Sequence, residues 1–236
     1  MRTDSKAARP LPLALTALVA LLAALVALAL SGGMNMAQAQ GNPAMHHGHD
    51  HGRATLTPKA VAFEMQMRKL WEDHITWTRL AIISLEGGTP DTDATVARLL
   101  QNQVDIGDAF EPYYGATTAH ALTGLLREHI LIAADVIAAA KAGDATKLAD
   151  AQARWTANAD QIAAALHSVN PRFWGLDEMK DEMHMHLALT TQEAVAHLQG
   201  DWTGDVAAYD RVHLHILHMA DLLSEGVIDQ FPKRFR

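Results

Sequence analysis

The chain is predicted to fold as an all-α bundle of three repeated helical hairpins. Three observations predict it. Apolar residues recur at intervals of three and four, while Ala, Leu, Met, Gln and Glu dominate and no alternating β-branched run appears. Gly- and Pro-bearing breakers cut the chain from Pro58 onward into six segments of helical length. The segments also pair, with helix, glycine-bearing loop, helix and proline stop recurring at intervals of roughly 50 residues.

Residues 1–39 read as a secretory signal. Arg2, Lys6 and Arg9 precede the uncharged apolar run Leu11 to Leu30, and Ala37-Gln38-Ala39 offers a cleavage site of small residues. If that run were retained, it would be long enough to anchor the chain in a membrane. Either way the remainder is expected to be exported, periplasmic or secreted. Residues 40–57 form a polar tail containing MHHGHDHGR, and its glycine spacing predicts disorder.

The domain is expected to span 58–236. Thr57 caps a first helix that opens on Pro58 and ends at Glu86, before Gly87-Gly88-Thr89-Pro90. Asp91 or Asp93 caps a second helix, predicted to stop near Phe110 ahead of Pro112. The third runs from Thr117 or Thr118 to Gly143. The fourth is capped by Asp144 or Thr146 and stopped at Asn170-Pro171. The fifth runs from about Asp177 to Gly200, and the sixth starts after Gly204 and ends at Pro232.

Composition narrows the function. There is no cysteine, so disulfides and thiolate chemistry are excluded. A formal charge of −8 and the lack of a basic patch argue against nucleic acid as a partner. Fourteen histidines and ten methionines without cysteine point to metal handling.

The repeat aligns His74, His129 and His186, each central on the apolar face of the first helix of its hairpin. In the second helices Asn102 and Asn158 follow their histidines at nearly equal intervals. His218 takes the corresponding place after His186 if the third loop is longer. A competing register aligns Asp105, Asp160 and Asp221. Helical phase favours the first, because Asn158 lies on the stripe of Trp155, Ile162 and Leu166 and Asp160 lies nearly opposite. With Leu214, Leu217 and Ile228 taken as the stripe of the last helix, Asp221 is central.

Several segments occur in a fixed order: LWEDHITWTR, RLLQNQVDIGDAFEPYYG, LLREHILIAADVIAAAK, RWTANADQIA, HLALTTQEAV and YDRVHLHILHMADLLSEGVIDQFP. Together they resemble a group of small bacterial helical proteins often labelled "glycosyltransferase" or "acetylglutamate kinase". The resemblance covers roughly Leu70 to Pro232 and implies a helical fold. The labels imply nucleotide chemistry, yet no Gly-rich phosphate loop follows a strand here, so no nucleotide cofactor is expected.

A buried imidazole needs a partner. Asn102 and Asn158 can supply it, and three such pairs would fix hairpin register. Alternatively the histidines converge on a metal, as ligands on facing helices of bundles do. In the last hairpin His218, Asp221 and Glu225 share one helix face, and His186 and Glu193 share another. Imidazoles with carboxylates suit copper, zinc, iron or manganese. His46, His47, His49 and His51 of the tail, beside Met45 and Asp50, are expected to bind divalent copper, nickel or zinc. Met65, Met67, Met179, Met183 and Met219 read as core fillers. No nucleophile elbow occurs among the serines. The leading expectation is an exported, non-catalytic metal-binding protein. Two others stay open: a metal-dependent enzyme with its site on the last hairpin, and a structural or interaction module whose buried polar groups only fix packing.

Overall fold

The computed structural model describes residues 57–236; the expected signal and the histidine-bearing tail lie outside the described residues. The described chain is all-α. Its six helices are α1 (Pro58–Gly87), α2 (Thr92–Tyr114), α3 (Ala116–Ala142), α4 (Ala145–Val169), α5 (Leu176–Gln199) and α6 (Trp202–Gln230). Each packs on the next in order, and α6 returns to pack on α1, so the three hairpins close into a ring. Helices α1, α3 and α5 also reach one another through the middle, by contacts of α1 with α3 and α5 and by the ring contact of His129 with His186. The face each of these three turns inward therefore becomes the axis of the molecule. Among the described residues no helix is long and apolar enough to cross a membrane.

The hairpin turns share one chemistry. Gly88, Gly143 and Gly200 end α1, α3 and α5 with φ of 62°, 70° and 71°, left-handed conformations that a Cβ would strain. Two of the helices that follow are capped by an aspartate: Asp144 accepts from the Lys147 N–H and Asp201 from the Gly204 N–H, both at 3.0 Å. Asp201 corrects the expectation that α6 begins after Gly204. Trp202, Thr203 and Gly204 are already helical, so the third loop is short rather than long.

Pro112 does not stop α2 either. It sits in the last turns, where the backbone bond it forfeits is one of few remaining, and the helix runs on to Tyr114. Between the second and third hairpins, Trp174 is fully buried against α6. A Cβ on Gly226 would fall 2.1 Å from the Trp174 Nε1, so this contact requires glycine. Met67, Met179, Met183 and Met219 fill the core as expected, but Met65 is 66% exposed. On α6 the buried stripe is Val212, Ile216, Met219, Ala220, Leu223 and Val227. The expected stripe is displaced: Leu214 is 69% exposed, and Asp221 moves from the centre to the edge.

Candidate functional site

The three repeated histidines meet on the axis. Ring centroids are 5.7 Å apart for His74 and His186 and 6.0 Å for His129 and His186. All three are buried. A fourth imidazole, His215 of α6, lies 6.3 Å from His186 with the rings inclined by 18°.

His129 has both nitrogens engaged. The Asn158 Oδ1 lies 2.8 Å from its Nδ1, and the Trp155 indole donates to its Nε2 at 3.1 Å. This fixes the tautomer, with the proton on Nδ1. His74 accepts on Nδ1 from the Gln103 amide at 3.2 Å, and the same amide nitrogen donates to the Asn102 Oδ1 at 3.1 Å. His186 is different. Its Nδ1 is buried and has no hydrogen-bond partner.

The reason lies in the opposite helix. Asn102 donates to the Leu70 carbonyl at 2.9 Å and Asn158 to the Leu125 carbonyl at 3.1 Å. Each carbonyl belongs to the residue four before the hairpin's histidine. In the third hairpin His215 fills that role, its Nε2 donating to the Glu182 carbonyl at 3.1 Å. His215 follows His186 at the same interval as Asn158 follows His129. The register through His218 is therefore corrected to His215. An imidazole there reproduces the amide's donor but not its carbonyl, so His186 receives no acceptor.

Burial sets the charge of this layer. It pushes His74 down to about 3 and His129 down to about 4, although hydrogen bonds from Gln103 and Asn158 work the other way. His186 is held well below the ordinary value by burial and then by the neighbouring His74, His129 and His215. At neutral pH the cluster is uncharged.

The remaining expected ligands do not join it. His218 is exposed, lies 3.5 Å from Glu182, and is raised by that carboxylate. Asp221 pairs with Arg68 at 2.5 Å on the surface, and Glu225 is exposed. Glu193 is fully buried and bonds Arg79 at 2.8 Å. The same guanidinium grips Asp205 with two hydrogen bonds of 2.8 and 3.0 Å and lies over the Tyr209 ring. Asp205 and Asp221 are sixteen residues apart on α6, a rise of roughly 24 Å at about 1.5 Å per residue. Glu193 and Asp221 therefore cannot share a cation with ligand bonds of about 2 Å. The structure therefore does not bring His186, Glu193, His218, Asp221 and Glu225 together around one point. Among the described residues no group of three or more His, Cys, Asp or Glu side chains is arranged to hold a metal ion.

No protein-family model, curated protein or solved structure matches the chain.

Sequence reading missed the Arg79 centre. Burial alone would raise Asp205, but Arg79 and His197 outweigh it and hold its carboxyl below the ordinary value. Glu193 goes the other way, pushed up to about 7 by burial despite Arg79. An arginine five residues after His74, on a helix with an apolar core face, was the available signal. Gln103 was also missed, although its position next to Asn102 distinguishes the first hairpin from the second, where Ala159 follows Asn158.

Proposed function

We propose that this chain is an exported, non-catalytic protein that handles a divalent transition metal, copper or zinc. The N-terminal histidine segment takes up the ion, and the helical bundle is the body that carries it. The observation that carries this reading is the placement of His46, His47, His49 and His51 within six residues, beside Met45 and Asp50. Imidazole and carboxylate donors suit these ions. The bundle supports a division of labour. His129 has no free nitrogen, His74 has one committed to Gln103, and Glu193 and Asp221 are paired with Arg79 and Arg68.

The test uses the full chain and a variant with His46, His47, His49 and His51 all changed to Ala. Both are equilibrated with micromolar copper or zinc, dialysed and analysed for metal. The wild type should retain metal and the variant should lose it without a change in melting. A variant that keeps stoichiometric metal, or a wild type that holds none, overturns the proposal. Loss of metal in His186→Leu instead would move the site into the bundle.

A further inference from the structure

At the end of the bundle where α1, α3 and α5 finish, a cavity of about 60 Å³ opens between them. Ala81, Ile82, Val136, Ala140, Ala194 and Leu198 are among the residues that line it. Three threonines also border it, yet they leave it apolar. Thr78 donates its hydroxyl to the His74 carbonyl, Thr190 to that of His186 and Thr191 to that of Leu187, at 2.7 to 2.8 Å. Each hydroxyl is thus bonded within its own helix.

One charged residue lines the cavity. Glu86, in the last turn of α1, has its Oε2 buried without a hydrogen-bond partner. Glu193, which interacts electrostatically with it, also has a buried Oε2 without a partner. A buried carboxylate oxygen left unpaired is expensive, and two in one region indicate a missing donor. Glu86, Glu193 and Asp205 are three carboxyl groups that interact, and the cations set among them are Arg79 and Lys141. Arg79 is fully occupied by Glu193 and Asp205, and the Lys141 Nζ donates to the Leu85 carbonyl. His197 donates to Asp205 at 3.0 Å and does not reach Glu86 by any hydrogen bond.

We propose that this cavity binds a small primary alkylammonium ion, its chain among the apolar side chains and its ammonium group on Glu86. The size restricts the chain. An apolar cavity of roughly 150 Å³ holds benzene, so 60 Å³ admits a chain of one or two carbons and excludes a ring. The ammonium donors satisfy the orphaned oxygen, and the bound cation takes the place of the proton that Glu86 carries in the empty site. This site is independent of the histidine segment and of any metal.

Binding also moves a proton. Burial pushes Glu86 up to about 8, with Asp205 and Glu193 adding to the rise. In neutral solution the free carboxyl is therefore largely protonated, and ion pairing with the ammonium releases that proton.

Titration calorimetry of the full chain with ethylammonium chloride tests the proposal. Saturable binding is expected, with affinity that rises with pH until Glu86 ionises near 8. Proton release should appear as a dependence of the heat on the buffer. Glu86→Gln should weaken ethylammonium at least tenfold while leaving melting intact. Ala194→Leu, which fills the cavity, should abolish binding. Ethanol and benzylammonium should both bind more weakly. No saturation with ethylammonium overturns the proposal, as does equal binding by wild type and Glu86→Gln. Equal affinity for ethanol overturns the role of the carboxylate.

Discussion

His129 and His186 occupy matching places in neighbouring hairpins, and the residue that faces each from the second helix differs. Across from His129 stands an asparagine, which gives the ring an acceptor while its amide ties down the Leu125 carbonyl. Across from His186 stands His215, which ties down the Glu182 carbonyl and gives the ring nothing on Nδ1. The backbone-directed half of the pattern is kept and the imidazole-directed half is dropped. The repeat thus separates two tasks of the second-helix residue. Fixing the hairpin register needs only a donor, and an amide or an imidazole will do. Completing a buried histidine needs an acceptor aimed at its ring as well; the Asn158 carbonyl supplies one, whereas the second nitrogen of His215 lies 3.6 Å from the Glu182 carboxylate.

Acid should stress this layer most. His74 and His129 titrate at about 3 and about 4 in the folded protein, against an ordinary 6.5. Below 6.5 the unfolded chain therefore binds protons that the folded chain refuses. Stability falls with pH by about 1.4 kcal/mol per unit for each such histidine. Glu86 and Glu193, raised to about 8 and about 7, act in the opposite direction above their ordinary 4.5. They offset part of the loss between 4.5 and 6.5 and nothing below that. Urea midpoints across pH should peak near 6.5 and drop most steeply under 4.5. His129 ceases to contribute near 4, whereas His186, held lower, continues. A profile that stays level through the acid range would break the picture of a neutral, dry imidazole layer.

Substitution is expected to divide the pair next. His129→Leu strands the Asn158 carbonyl and the Trp155 N–H, so it should cost about 3 kcal/mol. His186→Leu removes a ring whose Nδ1 is already unsatisfied, and a volume-conserving apolar replacement should cost less than about 1 kcal/mol. Equal losses in chemical denaturation would mean that the missing partner of His186 has no energetic weight. The smallest effect, and the sharpest, is a gain. His215→Asn restores the arrangement of the second hairpin, and it should stabilise by about 1 kcal/mol if the amide reaches both the Glu182 carbonyl and the His186 Nδ1.

The fold was legible because its determinants are local. Gly88, Gly143 and Gly200 mark their turns, Asp144 caps its helix, and the apolar periodicity assigns faces on α1 to α5 without tertiary information. Asn102 and Asn158 were legible for the same reason, since helical phase placed them inward. The errors arose where one residue supports two readings. Gly204 looked like loop but lies in the first turn of α6, and that misreading lengthened the third loop enough to admit His218 in place of His215. On α6 apolar residues occur nearly all round the helix, so Leu214 passed for core and Asp221 for a buried acid. The Arg79 centre depends on α1, α5 and α6 meeting, and no spacing within a single helix encodes it.

Closure of the ring has a mechanical consequence. Repeat proteins built as open stacks expose two outer units, which peel away first and need specialised caps. Here α6 is flanked by α5 and α1, and the Thr57 hydroxyl donates to the Phe235 carbonyl, tying the first described residues to the last. No hairpin is outermost, so none can fray without breaking two seams at once. Amide protons of all three hairpins should then exchange through a shared opening rather than in a graded sequence from one side.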